Sequence, residues 1–324
     1  MLGGKNQPPR LPQQSNRYGK LRKNLALLTM VAPGAIWLLL LRYLPMGGIV
    51  LAFKNYKVYP RNPTFISNLI HSKWAGLENF KFLFMTDDAI IMIRNTLLYN
   101  IVFIILGIII PVAFAIMMNE LTKKFFAKAY QTMMFFPYFL SWVVVSYFLN
   151  AFLDAQYGLL TSAAKAAGEV PISWYTTKKY WPYILVFANL WKNVGYSTIL
   201  YLASIAGIDT NQYEAAAIDG AGKWQQIWHV TIPNLRSMIA ILFILNVGKI
   251  FNADFGLFWN VPMQNGALFP VTQVVDTFIY RAMMNTGNIG MSSAAGLLQN
   301  VVGLVCILGT NALVKKIDSE SALF

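Results

Sequence analysis

The chain reads NTLLYNIVFIILGIIIPVAFAIMM over residues 95–118. This stretch holds no charged residue, and it is longer than the roughly 20 apolar residues that an α-helix needs to cross a bilayer. Similar blocks recur along the 324 residues, of which 56% are hydrophobic and only 12% are charged. Soluble domains carry about 25% charged residues. The sequence therefore predicts an all-α integral membrane protein.

Six blocks of this kind predict six transmembrane helices. Their expected ranges are 25–53, 95–118, 131–153, 181–206, 236–258 and 293–314. Arg42 and Pro45 interrupt the first block, which leaves open either one long helix or a helix followed by a second, partly exposed segment. A cleaved signal peptide is not expected, because the apolar stretch exceeds a signal core and no small-residue cleavage site ends it.

Basic residues predict the orientation of the chain. Residues 1–24 form a tail that has several basic residues and no acidic one, and such segments stay on the cytoplasmic side. With six spans, the basic segments 119–130 and 207–235 and the C-terminus fall on that same side. The net charge of +13 is thereby explained, and no nucleic acid is expected as a partner. The predicted domains are the tail, a transmembrane domain over 25–316 and a short C-terminal tail over 317–324. The outer segments are expected at 54–92, 154–180 and 259–290.

The stretch most informative about function is Tyr213–Pro233, which reads YEAAAIDGAGKWQQIWHVTIP. It is too polar to span a membrane. Asn211 and Glu214 have the spacing of a capping box, which predicts that a helix begins at Asn211. The alanines that follow favour helix, and Gly220 and Gly222 predict a turn. We therefore expect a short helix along the cytoplasmic face, ended by a glycine turn.

This stretch resembles the EAA loop of ABC-importer permeases, in which Glu-Ala-Ala is followed at fixed spacing by a glycine, two apolar residues and a proline. The matching residues are Glu214, Ala215, Ala216, Gly220 and Pro233. Val230 and Ile232 replace the isoleucine and leucine of the usual pattern. Both replacements keep an apolar side chain at the position.

Further residues resemble the carbohydrate-uptake branch of the same family. Asp219, Gly220 and Ala221 match its extended loop, and the sequences GLENF at 76–80 and RNTL at 94–97 resemble the segment before its second span. The basic tail and the long outer segments resemble permeases for large oligosaccharides, among them importers of alginate and of pectin fragments.

The resemblance implies the type I permease fold, with six transmembrane helices and a cytoplasmic coupling helix within 211–233. This helix would dock on a cytoplasmic ABC ATPase, through the coupling residues Glu214, Ala215, Ala216, Asp219, Gly220, Ala221 and Pro233. The implied assembly holds a second, homologous permease, two copies of the ATPase and an extracytoplasmic solute-binding protein. It would lie in the bacterial inner membrane with both termini of this chain in the cytoplasm. ATP and Mg²⁺ would bind to the ATPase, and no cofactor is expected on this chain.

Motifs for nucleotide, metal or catalytic chemistry do not emerge from the sequence. Residues 219–223 approach a P-loop, but Ala217 and Trp224 stand where that motif needs Gly and Ser or Thr. His71 and His229 lie in different loops without companions at metal-ligand spacing, so no metal site is expected. No paired-carboxylate or Ser/His constellation indicates an integral-membrane enzyme. We therefore expect a transport subunit without catalytic residues.

A polar face is predicted on the fourth span. Asn189, Lys192, Asn193 and Tyr196 share one helical face because their spacing is i, i+3, i+4 and i+7. A lysine in the bilayer core is costly unless it faces a cavity or a partner. These residues are therefore candidates for the cargo path, together with Asn246, Lys249 and Trp142. Alternatively, Lys192 and Lys249 pair with Asp154 or Asp254, or reach the headgroups.

The cargo expected from these residues is a carbohydrate. Aromatic side chains such as Trp142 suit the apolar faces of sugar rings, although Trp and Tyr also populate membrane interfaces. Two lysines along the path would favour an acidic, alginate-like oligosaccharide. A permease for another small solute stays open. So does an ATP-independent secondary transporter, which would require inverted repeats and intramembrane acids; spans two, three and six carry no acid.

Overall fold

The computed structural model describes residues 24–58, 64–317 and 322. The predicted tail up to residue 23 and most of the predicted C-terminal tail lie outside this range. The longer helices are α1 (Leu25–Leu38), α5 (Asp87–Asn119), α6 (Lys124–Phe135), α7 (Trp142–Leu153), α9 (Trp181–Ala206), α12 (Ile232–Val247), α15 (Val275–Thr286) and α16 (Ile289–Ile317). The shorter helices are α2 (Leu44–Met46), α3 (Phe65–His71), α4 (Glu78–Met85), α8 (Leu159–Ala166), α10 (Thr210–Ile218), α11 (Lys223–Gln226), α13 (Phe255–Asn260) and α14 (Phe269–Thr272).

The remaining regular structure consists of tight or wide helical turns and one hairpin. Strands β1 (Lys54–Asn55) and β2 (Lys73–Trp74) pair antiparallel, with Lys54 opposite Trp74. The π-helical turns are Leu39–Tyr43 and Ile227–Thr231, and the 3₁₀ turns are Gly47–Phe53, Phe136–Phe139, Lys178–Tyr180 and Gly266–Leu268.

The chain divides into two compact units, with the boundary between Val50 and Leu51. In the first unit, α1 continues without a break through a π turn into α2, and the helical segment Leu27–Phe53 is long and apolar enough to cross a membrane. Of the two possibilities left open by Arg42 and Pro45, the structure thus shows one long helix. Arg42 lies inside the π turn, and Pro45 stands in the first turn of α2, where a missing N–H is tolerated.

Among the described residues, four helices pass a length and apolarity test for membrane spans: Leu27–Phe53, Asp87–Asn119, Lys223–Val247 and Ile289–Lys316. A bent pair, Phe125–Phe139 with Trp142–Leu153, makes a fifth. Helix α9 has the predicted bounds and 26 residues, about 39 Å at 1.5 Å per residue, but its polar face lowers its hydropathy. Six helical segments thus stand at the six predicted positions, and the predicted all-α membrane fold is confirmed.

The third predicted span, 131–153, is wrong as a continuous helix, because it bends by 99° between Phe139 and Trp142. The α-helical part of the first half ends at Phe135, and Pro137 lies in the 3₁₀ turn Phe136–Phe139 that follows it. Ser141 starts the second half by accepting a hydrogen bond from the Val144 N–H at 3.3 Å. The two halves therefore meet at a corner.

The fifth predicted span, 236–258, is wrong at both ends. The helix already begins at Lys223 and passes through the π turn into α12. It ends at Val247, where Gly248 approaches the sixth span so closely that a Cβ would collide with Ile307. Between Gly248 and Asp254 the backbone forms a turn and an irregular stretch instead of the predicted helix. A new helix, α13, then begins with Asp254 as its N-cap.

Three apolar clusters lie in the described part of the second unit, and one of them, around Met92 and Val275, joins α4, α5, α15 and α16. The other two involve α9. One joins α5, α9 and the segment around α13 near the predicted outer side, where Trp181, Leu185 and Phe258 are almost completely buried. The other joins α5, α9 and α12 near the predicted cytoplasmic side, around Tyr201 and Leu235. These clusters fix α9 between its neighbours, so that the polar face of α9 and the loop that follows it are held in defined positions.

Candidate functional site

The helix predicted in the EAA-like stretch is present as α10, and its N-cap lies two residues earlier than expected. Asp209, not Asn211, is the N-cap: its Oδ1 accepts a hydrogen bond from the Asn211 N–H at 3.0 Å. An aspartate cap satisfies an otherwise unpaired N–H and complements the positive end of the helix. The predicted start at Asn211 is therefore wrong, although the helix itself is confirmed.

The predicted glycine turn is also present and completes a Schellman motif. Gly220 has φ +81°, and its N–H donates to the Ala217 carbonyl at 3.1 Å. The Ala221 N–H donates to the Ala216 carbonyl at 2.9 Å. These are the two bonds that close a helix through a left-handed residue, a position that glycine adopts without strain. No other atom lies within 4 Å of where a Cβ at position 220 would be, so crowding does not demand glycine there. Glycine is required because of the positive φ.

Helix α10 has an uncovered surface. None of its nine residues is buried. Glu214 and Ala215 are exposed, and the apolar side chains of Ile218, Trp224 and Trp228 are 87%, 72% and 61% exposed. Ile218 ends α10, whereas Trp224 and Trp228 stand four residues apart in the segment that follows it. Because exposed large apolar side chains mark interaction sites, α10 together with this segment is the candidate docking surface.

Two hydrogen bonds fasten α10 to the start of the fifth span. The hydroxyls of Tyr213 and Thr231 lie 2.9 Å apart, and Asn234 donates to Gln212 Oε1 at 2.8 Å. Asn234 also donates to the Val230 carbonyl at 2.8 Å, which orients its amide. Each bond joins residues about 20 positions apart in sequence, and we call the pair the α10 tether. A displacement of α10 would therefore be passed directly to α12.

A second group of polar residues surrounds the corner of the third span. Lys192 is only 9% exposed, and its ammonium donates to the Tyr138 carbonyl at 2.7 Å. The same ammonium lies 5.3 Å and 5.5 Å from the ring centres of Tyr138 and Trp142. The ring of Tyr196 stacks on that of Tyr138 at 4.7 Å. A buried cation is thus held by a carbonyl and two aromatic faces.

Asp254 extends this group on the other side of the corner. Its Oδ2 accepts a hydrogen bond from the Trp142 indole at 2.8 Å, and its Oδ1 accepts one from the Leu257 N–H at 3.3 Å. Gly256 leaves the space that the Trp142 ring occupies, because a Cβ there would collide with the ring. We call Tyr138, Trp142, Lys192, Tyr196 and Asp254 the corner cluster. It fixes the orientation of Trp142.

The fold and both groups of residues can be compared with those of known proteins. Residues 104–318, which include α10, the tether and the corner cluster, match the family described as "Binding-protein-dependent transport system inner membrane component". This chain belongs to that family. As a member of it, the chain is a permease subunit of an ABC importer, and the type I permease fold predicted from the sequence is confirmed.

Two relatives from Bacillus subtilis (strain 168) resemble the permease over nearly its whole length. Protein LplB is 32% identical over 93% of this chain and 92% of its own. The polygalacturonan/rhamnogalacturonan transport system permease protein YteP is 32% identical over 93% of this chain and 91% of its own. The name of YteP describes a transport-system permease, and both alignments cover more than nine tenths of each protein.

Two solved structures have the same fold. One is a bacterial alginate ABC transporter in complex with an alginate pentasaccharide-bound periplasmic protein, with 29% identity, a TM-score of 0.81, and coverage of 93% of this chain and 97% of that one. The other is a bacterial ABC transporter involved in the import of the acidic polysaccharide alginate, with 29% identity, a TM-score of 0.82, and coverage of 94% and 100%.

The predicted site residues of the permease fall into two places. The coupling residues Glu214 to Ala221 form α10 and its glycine turn, while Pro233 lies in the first turn of α12. On α9, Lys192, Tyr196 and, from the neighbouring span, Trp142 come together in the corner cluster. Asn189 and Asn193 lie beside them, with the Asn193 amide donating to the Asn189 carbonyl at 3.1 Å.

Asn246 and Lys249 do not join this cluster. Both are exposed, and neither hydrogen-bonds to a cluster residue within the described part of the chain. Within the described residues, neither lysine forms an ion pair with Asp154 or Asp254, although the charge of Lys192 interacts with that of Asp254 at longer range. Lys192 bonds to a carbonyl, and Asp154 instead accepts the N–H groups of Gln156 and Tyr157, which lower the pKa of its carboxyl group.

Several residues of the α10 tether and of the corner cluster were not predicted. The tether residues Gln212, Thr231 and Asn234 are polar side chains within or beside the EAA-like stretch, but their partners lie a whole loop away. Tyr138 acts through its backbone carbonyl, which no sequence pattern marks. Asp254 was expected only as an alternative partner of a lysine. Its role as an N-cap could have been predicted, since an aspartate before an apolar segment is a common N-cap.

Proposed function

We propose that the permease docks through α10 on a cytoplasmic ABC ATPase and converts the closure of that ATPase into a change of access along its membrane-embedded path. The observation that carries this proposal is the combination of an uncovered helix with a tether to the fifth span. An exposed loop without the tether would move independently of the membrane helices. A tethered helix transmits its displacement to them.

The proposed complex has the composition of binding-protein-dependent importers. A second, homologous permease completes the transmembrane path, and two copies of the ATPase bind and hydrolyse ATP with Mg²⁺ outside this chain. A solute-binding protein delivers the cargo at the outer face. The permease would lie in the bacterial inner membrane with its tail, its C-terminus and α10 in the cytoplasm, in keeping with the basic segments 119–130 and 207–235. No catalytic role is assigned to this chain.

The proposed cargo is an oligosaccharide that carries carboxylate groups. Two observations support it: the corner cluster offers a cation beside aromatic rings, and similar proteins import polygalacturonan, rhamnogalacturonan or alginate. Aromatic faces receive sugar rings, and an ammonium attracts uronate carboxylates. Among the predicted path residues, Lys192, Trp142 and Tyr196 would contact or support the cargo, with Asn189 and Asn193 beside them. Asn246 and Lys249 would line a separate part of the path.

The tether can be tested by removing its two side-chain bonds. The double variant Tyr213→Phe with Asn234→Leu is expected to lower the uptake per ATP hydrolysed by at least about fivefold, because two neutral hydrogen bonds contribute about 1–3 kcal/mol together. ATP hydrolysis by the complex should persist, since the docking surface is intact. The measurement is uptake and ATP hydrolysis in proteoliposomes that contain the whole importer.

A matched control is available in the same loop. Lys223 and Glu120 form an exposed ion pair at 3.0 Å, and exposed pairs contribute little to stability. Lys223→Gln should therefore change the uptake per ATP by less than about twofold. If the tether variant couples hydrolysis to uptake as well as this control does, the proposed transmission through α12 is wrong.

A further inference from the structure

A groove of 620 Å³ runs along the outside of the second unit between α5 and α9. On α5 it is lined by Arg94, Leu98, Val102 and Leu106, which follow one another along a single face of the helix. On α9 it is lined by Tyr183 and Val186. Apart from its upper end, where Arg94 lies, the groove is apolar. Neither the coupling loop nor the corner cluster contributes to it.

The groove has the length of one leaflet. Twelve residues separate Arg94 from Leu106, which corresponds to about 18 Å of helix. Half of the hydrocarbon core of a bilayer measures about 15 Å. Arg94 directly precedes the charge-free stretch 95–118, so it stands where α5 passes from the headgroups into the hydrocarbon. Under the orientation proposed above, this is the outer leaflet.

Hydrogen bonds hold the Arg94 guanidinium at the headgroup end of the groove. Its Nη2 donates to the Pro270 carbonyl at 2.9 Å, and both Nε and Nη2 donate to Asn95 Oδ1. Within the described residues, Nη1 has no hydrogen-bond partner, and the side chain is exposed and forms no ion pair. A fixed guanidinium that has a free donor and forms no ion pair within the described residues matches a phosphate group.

The shape favours a flexible chain over a helix. A helix about 10 Å wide that lay along the same 18 Å would fill roughly 1,400 Å³, so the groove could take up only part of a helix. Tyr183, which is 74% exposed in the first turn of α9, adds an aromatic side chain at the headgroup level. The occupant is therefore narrow, apolar along its length and anionic at one end.

The geometry points to a binding site for an anionic phospholipid of the outer leaflet, whose phosphate lies on Arg94 and one of whose acyl chains lies along Leu98, Val102 and Leu106. The site would hold α5 and α9 together at the lipid side. It requires the outward orientation of Arg94 but neither the coupling role of α10 nor a particular cargo, so its failure would leave both of those proposals untouched.

Native mass spectrometry of the whole importer tests the site, with palmitoyl-oleoyl phosphatidylglycerol as probe and phosphatidylcholine of the same chains as comparison. Arg94→Gln should weaken retention of phosphatidylglycerol about tenfold, the effect of a charge-assisted hydrogen bond, whereas Lys81→Gln should not. Val102→Trp fills the groove and should reduce retention of both lipids, whereas Ile105→Trp, on an exposed part of α5 outside the groove, should leave both unchanged.

Two outcomes would overturn the inference. One is equal retention of the two phospholipids by the wild type together with no loss in Val102→Trp, a variant that keeps the contacts of Arg94 and so does not depend on how Arg94→Gln folds. The other comes from a photo-crosslinking residue at position 102: an adduct with phosphatidylglycerol is expected, and a crosslink to the second permease would show that a protein helix covers the groove.

Discussion

Replacing Gly220 by valine is expected to reduce uptake at least about tenfold, and to remove the stimulation of ATP hydrolysis by the loaded binding protein. An L-residue in the left-handed conformation costs about 1–2 kcal/mol, and a β-branched residue is a still rarer occupant. The strain would open the two bonds that end α10 and would change the surface offered to the ATPase. The readouts are uptake and ATP hydrolysis in proteoliposomes, since 1.4 kcal/mol corresponds to a factor of ten.

Gly222 provides the matched control for this prediction, because it lies two residues away in the same turn. Its φ is −72°, and a Cβ there would make only an ordinary contact, 3.8 Å from Gln225 Oε1. Gly222→Ala should therefore transport within about twofold of the wild type, since no strain is introduced. Equal losses in both variants would indicate that the turn tolerates no side chain for a different reason, and normal transport by Gly220→Val would contradict the docking role.

Replacing Lys192 by methionine should lower the uptake of a uronic oligosaccharide by at least about tenfold. Two effects act together: the positive charge beside the aromatic rings disappears, and the charge-assisted, part-buried hydrogen bond to the Tyr138 carbonyl is lost, which costs about 1.5–3 kcal/mol. Lys192→Arg keeps the charge and should retain more uptake than methionine. Lys178→Met, which removes an exposed lysine just before the same helix and outside the predicted path, should behave nearly as the wild type.

A thermal unfolding measurement separates the two effects of Lys192. If Lys192→Met lowers the melting temperature without changing the preference for uronic over neutral oligosaccharides, then Lys192 only supports the corner of the third span. If the preference falls while the melting temperature holds, the ammonium meets the cargo. Uptake of neutral oligosaccharides alone by the wild type would contradict the acidic cargo.

Local patterns predicted the elements that depend on local causes. Helix α9 has the bounds that were expected from its apolar block, and its ends fit local rules: Pro182 lies in its first turn and Gly207 is its C-cap. The turn at Gly220 was predicted for the same reason. These features are determined by a few neighbouring residues, and tertiary packing does not have to create them.

The corner of the third span could not be predicted from hydropathy, because apolarity continues across it without interruption. Pro137 and Ser141 are compatible with a break, but prolines also occur in continuous membrane helices: Pro111 stands inside α5, which does not break. What holds the corner is the contact of Lys192 with the Tyr138 carbonyl and of Asp254 with Trp142. Both contacts join distant parts of the chain.

The fifth span was misplaced because its first part is polar on the surface that faces away from the membrane helices. Residues such as Gln225 and His229 lower the hydropathy of the segment that begins at Lys223, yet they extend a helix that is continuous with α12. The tether explains the advantage of this continuity, since it ties α10 to the same rigid body at Thr231 and Asn234.

The position of α10 can be measured directly by cysteine labelling. In a Cys306→Ser background, which removes the single native cysteine, Ala217→Cys places a thiol on the exposed surface of α10. A membrane-impermeant maleimide should label it only in inside-out vesicles, and a short crosslinker should join it to the ATPase of the assembled importer. Labelling from the outer side of intact cells, or an importer that crosslinks α10 to no ATPase, would contradict the account.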